Sequence, residues 1–363
     1  MQVEARPRLL GLEFGRFLAA LLVCCFHFTI AFENLRQDQV FDFAFRAGHA
    51  GVDYFFVLSG FIIFWVHRPD IGRPSAVTSF ATKRIIRIYP LYLAIFAAML
   101  VMFFLVPSLR GAREFTFWNG ILDALLLPLS GDAVVPQAWS LRHEMVFYAL
   151  FAVMILDVRV GALALLAWQA ASLIVGAMHP YDLAPAIKPF FYIYNLGFGL
   201  GVACAWAVPR VSLTKPGLIA SLGGLGFLAA MTAEWYVGRD LPEEFLPLGG
   251  ITSPLIYMSC AAALILSVSQ IEMRKPLPFA RPMAILGGSS YCIYLIHAPL
   301  GSVLIRLFGV GPLAWLPDRV VFVVMVLITI GVSVAVHLLI EKPTMQWLRR
   351  PSRRAHPAGG LPA

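Results

Sequence analysis

The stretch RFLAALLVCCFH, Arg16 to His27, puts an arginine and a histidine at the two ends of ten uncharged, mostly apolar residues. It lies inside a longer apolar run, residues 9–32, and an α-helix needs only about 20 such residues to cross a hydrocarbon core. A membrane helix is expected here, carrying two groups that lipid penalises. Eleven residues at about 100° each make three turns plus about 20°. Arg16 and His27 therefore share one face, about 16 Å apart along the axis. Ala20, Val23 and Cys24 lie between them on that face. They are small enough to line a groove with a cation at one end and a base at the other. The plainer reading is a close helix interface built from small residues. Glu13, one turn before Arg16, is placed to pair with it.

The rest of the chain is of the same kind. Its 363 residues are 60% hydrophobic and 13% charged, with a mean hydropathy of +0.79. A soluble domain is about 45–50% apolar and about 25% charged. The expected fold is an all-α, polytopic membrane helix bundle of about ten spans. They are residues 9–32, 48–67, 88–107, 140–157, 160–178, 188–208, 213–237, 248–270, 283–309 and 318–340. The fourth and fifth should form a hairpin turning at Asp157-Val158-Arg159. Residues 118–129 (WNGILDALLLPL) are apolar but too short to span, and read as a re-entrant or interfacial piece. The first span holds Glu13 and Arg16 and no small-residue cleavage site, so it is expected to be retained.

With the N-terminus inside, the inner segments hold 18 Lys and Arg and the outer ones 6. That bias puts both termini in the cytoplasm. It also accounts for the net charge of +8 without a nucleic-acid partner. One transmembrane domain, 1–345, is expected, followed by a short basic cytoplasmic tail, 346–363. Cys24, Cys25, Cys204, Cys260 and Cys292 all sit in apolar runs without metal-ligand spacing. They read as packing residues, and no metal is expected.

Ionisable groups inside spans are costly and usually face the bundle interior. Those here are Glu13, Arg16, His27, Asp53, Arg142, His143, Glu144, Glu234, His297, Arg306 and His337. Glu234, Arg306 and His337 look isolated, and the bland reading of a polar contact or a snorkelling group suffices for them. By span direction, His27, Asp53, Glu144 and His297 fall in one outer layer drawn from four helices. A buried layer reachable from outside suits general acid–base chemistry better than four unrelated contacts.

Arg84 and Arg87 in RIIRIYP lie three apart at the inner boundary. Positive-inside bias alone explains such a pair, and a phosphate fork is the functional reading. In WSLRHEMVFY, Ser140 is the expected N-cap of the fourth span and Glu144 lies one turn before Tyr148. Gly51, Ser59 and Gly60 in GVDYFFVLSGF, and Gly197 and Gly201 in GFGLG, permit close helix approach.

Taken together, these segments resemble the membrane acyltransferase-3 family, which includes bacterial polysaccharide and lipopolysaccharide O-acyltransferases. The matches are the Arg16–His27 spacing, GVDYFFVLSGF, RIIRIYP, WSLRHEMVFY, SSYCIYLIHAPL and the Glu341-Lys342-Pro343 after the last span. They cover nearly the whole chain in order. Many members have a second carboxylate after Glu144. Met145 stands there in this chain, and that form looks like the exopolysaccharide acetyltransferase branch.

The resemblance implies a multi-pass protein of the bacterial cytoplasmic membrane that moves an acyl group, acetyl by default, from cytosolic acyl-CoA to a surface-glycan hydroxyl. Arg84 and Arg87 would hold the donor's phosphates, and its pantetheine arm would pass Arg16. His27 would be the general base, oriented by Glu144 or Asp53. Trp139, Ser140, Tyr148 and His297 would support the site. The partners implied are acyl-CoA, the glycan acceptor, the lipid bilayer and other polysaccharide-assembly proteins. The rival class is a proton-coupled transporter using the same buried charges, against which no inverted repeat is visible.

Overall fold

The computed structural model describes residues 9–109, 113–179, 183–238, 252–275, 277–309 and 315–349. The expected basic tail lies outside the described residues from 350 onward. Every regular element among them is helical. The long apolar helices include α1 (Leu10–Arg36), α2 (Gly51–His67), α3 (Val77–Leu105), α5 (Trp139–Leu156) and α6 (Val158–Met178). After them come α9 (Pro216–Gly238), α10 (Thr252–Arg274), α11 (Ala280–Gly309) and α12 (Asp318–Val336). Short helices α4 (Phe117–Ala124), α7 (Lys188–Phe191), α8 (Leu196–Ala207) and α13 (Lys342–Leu348) complete the order. Nine helical stretches among the described residues are long and apolar enough to cross a membrane.

The expected sixth span, 188–208, is the exception. It breaks into α7, a 3-10 turn at Ile193–Asn195, and α8. Tyr192 between them is extended (φ −79°, ψ 150°). The Asn195 side chain bonds His143 Nδ1 (2.8 Å) and Ser172 Oγ (3.2 Å), tying the break to α5 and α6. What α8 lacks in length it recovers in closeness. A Cβ on Gly201 would overlap the Val57 carbonyl of α2, and one on Gly60 would overlap the Phe198 backbone. The glycines thus let α2 and α8 meet backbone to backbone.

Asp157 makes the expected hairpin turn. It ends α5 in extended backbone, and its Oδ1 accepts from the N–H of Arg159 (2.8 Å) and Val160 (2.9 Å). This is an N-cap for α6. The start of α1 has no local side-chain cap. Glu272 of α10 supplies one from 261 residues away, accepting from Gly11 N–H at 2.9 Å. Helix starts leave N–H groups without partners, so Glu272→Ala is expected to cost about 1 kcal/mol. Thermal unfolding in detergent should register it as a lower midpoint, with Glu272→Gln in between.

The short piece at 118–129 is α4 and its sequel. α4 is capped by Thr116, whose Oγ1 accepts from Asn119 N–H at 3.1 Å. Buried Asp123 pins this loop. It accepts from Val134 N–H (2.6 Å) and Tyr92 Oη (3.0 Å) and pairs with Arg142 of α5. Arg142 is thus a structural partner of the loop.

α3 begins eleven residues before the expected boundary at 88, so Arg84 and Arg87 lie inside it. Residues such as Ala81, Lys83 and Arg84 favour helix and extend it beyond the apolar limit that a hydropathy count detects. At the other end of the chain, α12 runs into a π-turn, His337–Glu341, before α13.

Candidate active site

A cavity of about 150 Å³ opens between α1, α2, α3, α5 and α11. Six of the candidate site residues line it: Arg16, Arg84, Arg87, Ser140, Glu144 and Tyr148. Local periodicity explains much of this. Ser140, Glu144 and Tyr148 are four residues apart on one face of α5, and Arg84 and Arg87 share a face of α3. Glu144 Oε1 accepts from Tyr148 Oη (2.6 Å) and Ser59 Oγ (2.7 Å), so hydroxyls from two helices orient the carboxylate.

Ser140 is not the N-cap expected of it. α5 starts at Trp139, and Ser140 Oγ instead meets Tyr294 Oη of α11 at 2.7 Å. Tyr294 donates in turn to Gln137 O at 3.0 Å. This chain of bonds forms one wall of the cavity. Ser59, Tyr291 and Tyr294 line it without having been read as site residues.

The two arginines of α3 have different surroundings. Arg87 is ion-paired to Glu341 Oε1 and lies 5.2 Å from the Tyr291 ring centroid. Arg84 has Nη2 3.4 Å from His67 Nε2 and lies near the rings of Phe80 (6.0 Å) and Tyr148 (5.9 Å). Its Nε bonds to no described residue. Arg349, just past α13, has its pKa lowered by burial and then by the cations of Arg87 and Arg84, a third positive group at this end. Arg16 stands in the field of Glu13, Glu341 and Glu144 as well as of Arg87.

His337 is not isolated, because its Nδ1 meets Glu341 Oε2 at 2.6 Å, where Cys292 Sγ also donates (3.2 Å). The ligating atoms of Cys292, His337 and Glu341 lie within 4.8 Å of one another, a set able in type to hold a metal. Here Arg87 takes one carboxylate oxygen and offsets the charge that a cation would need.

His27 lies at the far end of α1 from Arg16. Its Nδ1 is 2.9 Å from Val23 O and 3.2 Å from His297 Nε2. His297 Nδ1 is 3.0 Å from Ile293 O. One proton assignment satisfies all three contacts. Both rings carry Nδ1–H, His27 shares its proton between Val23 O and His297 Nε2, and His27 Nε2 keeps its lone pair. His297 follows Tyr294 by one turn of α11, with ring centroids 6.0 Å apart.

The four-residue layer is therefore split. His27 and His297 meet, Glu144 faces the cavity, and Asp53 does neither. Neither carboxylate hydrogen-bonds His27. Asp53 is fully buried and its two oxygens have no partner among the described residues. On α2 it is off the face on which Val52, Phe55, Phe56 and Ser59 reach the cavity. Trp139 packs on Phe56, His143 and Tyr194. Between Arg16 and His27, the residues Ala20, Val23 and Cys24 are wholly buried in packing. That face is a helix interface, and the cavity runs along α2, α5 and α11 instead. Glu234 is also partnered, by His49 Nε2 (2.5 Å), Tyr257 Oη (2.6 Å) and Ser253 Oγ (3.4 Å). Among the described residues Arg306 bonds within its helix, to Ser302 O (2.8 Å).

Among the described residues the chain is a helical membrane bundle with a carboxylate, hydroxyls and arginines lining one cavity, a setting for polar chemistry inside the membrane. The family model described as an acyltransferase domain matches residues 9–338, and the chain belongs to that family, the membrane acyltransferase-3 family. The exopolysaccharide production protein ExoZ of Rhizobium meliloti (strain 1021) is 28% identical, with 87% of this chain and 94% of that protein covered. The acyltransferase MdmB of Streptomyces mycarofaciens is 26% identical over 96% of this chain and 94% of its own. The putative peptidoglycan O-acetyltransferase YrhL of Bacillus subtilis (strain 168) is 26% identical over 95% of this chain but 56% of its own. No solved structure matches.

Proposed function

We propose that this membrane acyltransferase moves an acyl group, acetyl in the first instance, from cytosolic acyl-CoA to a hydroxyl of a surface glycan. In this reading the termini and the Arg84 end of α3 face the cytoplasm of a bacterium, and His27 faces the outside. The observation that carries it is the cavity itself, with Arg84 at one end and the Ser140–Tyr294 bond one turn from His297 at the other. An anionic nucleotide suits the first end, and a long thin pantetheine arm suits the space between. The glycan acceptor is supported by relatives named for exopolysaccharide production and, as a putative activity, peptidoglycan O-acetylation.

The chemistry follows from the proton assignment. His27 Nε2 takes the proton of the acceptor hydroxyl as its oxygen attacks the thioester carbonyl. The C–S bond breaks, the imidazolium returns the proton to the departing sulfur, and the products are an O-ester and CoA thiol. His297 holds the His27 ring through Nδ1. Glu144, with Ser59 and Tyr148, keeps a fixed polar group beside the arm's path.

The test is transfer of label from radiolabelled acetyl-CoA to a crude surface-polysaccharide fraction by purified protein in liposomes. Label that needs wild-type protein supports the reading. Failure to transfer from acetyl-CoA or from longer acyl-CoAs, together with no thermal protection by any of them, would reject the donor. Tyr294→Phe removes the hydroxyl that joins Ser140 to Gln137. It is expected to slow transfer about fivefold while acetyl-CoA protection stays, because one neutral hydrogen bond is worth about 1 kcal/mol.

A further inference from the structure

We propose that the two arginines of RIIRIYP have separate duties: Arg84 takes the donor's phosphate, and Arg87 is a positioning residue held by Glu341 and His337. This deepens the acyl-CoA reading and rests on it.

Arg87 is committed. Its partner Glu341 has a side chain only 2% exposed. Moving Arg87 onto a mobile phosphate would leave that carboxylate buried with its charge unpaired. The other Glu341 oxygen is held by His337 Nδ1 and Cys292 Sγ. The π-turn His337–Glu341 brings both residues to this spot, and such turns often mark functional sites. The network is packed shut, since a Cβ on Gly288 would strike the His337 ring. Arg87 also lies by the Tyr291 ring, whose hydroxyl donates to Ile88 O at 3.0 Å and fixes the ring to α3. Arg87 thus fastens α3 to α11 and to the end of α12. A phosphate at Arg87 would meet the like charge of Glu341.

Arg84 is the opposite case. Its polar contacts are an imidazole nitrogen at 3.4 Å and the Tyr148 hydroxyl. The nearby Asp70 is bonded to the other nitrogen of the same imidazole, at 2.7 Å. Arg84 Nε has no partner among the described residues, and the residue lines the cavity. No carboxylate among the described residues pairs with Arg84, so its charge is available to a phosphate in exchange for these two neutral contacts.

The test compares acetyl-CoA with acetyl-pantetheine, which keeps the thioester arm and has no phosphate. Full-length protein in liposomes would be assayed as wild type, Arg84→Ala, Arg84→Lys and the double variant Arg87→Met/Glu341→Gln. The double variant removes both charges together, so neither is left buried alone. Wild type should show a KM at least about tenfold lower for acetyl-CoA. Arg84→Ala should lose that preference through the acetyl-CoA KM alone, and Arg84→Lys should recover part of it. The double variant should keep the preference within about threefold, with kcat lowered equally for both donors. Preference lost in the double variant as fully as in Arg84→Ala, or kept in Arg84→Ala, overturns the assignment. Wild type without any preference overturns the acyl-CoA reading, and this inference with it. Should the double variant not fold, the Arg84 series decides alone.

Discussion

His27→Ala is expected to fold, to be protected by acetyl-CoA as wild type is, and to transfer acyl groups about 10³-fold more slowly. The expectation combines two features. His27 does not line the cavity, so donor binding does not need it. Its Nε2 bonds to no described residue, while Nδ1 is occupied by Val23 O and His297. The lone pair that would take the acceptor's proton is therefore available, and the ring is held in one tautomer. His297→Ala removes one of the two groups holding it and should cost about tenfold in kcat with the donor KM unchanged. The paired readouts are label in glycan and thermal protection by acetyl-CoA. Wild-type rates from folded His27→Ala would make the Arg16–His27 spacing a packing feature only.

How much of this was legible in the sequence depends on the range of each interaction. The bundle and most of its spans follow from hydropathy, because membrane crossing is a property of one contiguous segment. The Glu144–Tyr148 bond and the Asp157 turn are equally local, at separations of four and two or three residues. The residues that complete the site come from far away. Ser59 reaches Glu144 across 85 residues, His297 reaches His27 across 270, and Glu341 reaches Arg87 across 254. Periodicity says which face a residue occupies but not which helix lies opposite. For that reason the Arg16–His27 face was open to reading as a groove, although Ala20 and Cys24 are small because α11 packs there. Depth ranking failed for Asp53 on the same ground: it fixes height in the bundle, not direction around the helix. The sixth span misled because a hydropathy count over 188–208 does not register the extended Tyr192 that separates α7 from α8. The close approach expected of Gly197 and Gly201 is the one α8 makes, against α2.

Asp123→Ala is expected to be the most destabilising single change, about 3–5 kcal/mol, since it strips the partner from a buried cation. Asp123 is fully buried, and its carboxylate joins four groups: Arg142, Tyr92, and the N–H of Val134 and Val135. Removing it leaves the buried Arg142 guanidinium unpaired and two buried N–H donors unsatisfied. It also frees the loop that leads into α5, the helix bearing Ser140, Glu144 and Tyr148. Asp123→Asn keeps an oxygen for the N–H groups and loses the ion pair, so it should fall between wild type and alanine. Asp123→Leu/Arg142→Met removes both charges together and should be milder than Asp123→Ala. Unfolding midpoints in detergent across the four proteins test this order. If the double variant were no more stable than Asp123→Ala, the backbone bonds to Val134 and Val135, and not the Arg142 charge, would carry the stability of this loop. If Asp123→Ala melted as wild type does, the loop would not depend on Asp123, and the placement of Ser140 and Glu144 would rest on α5 packing alone.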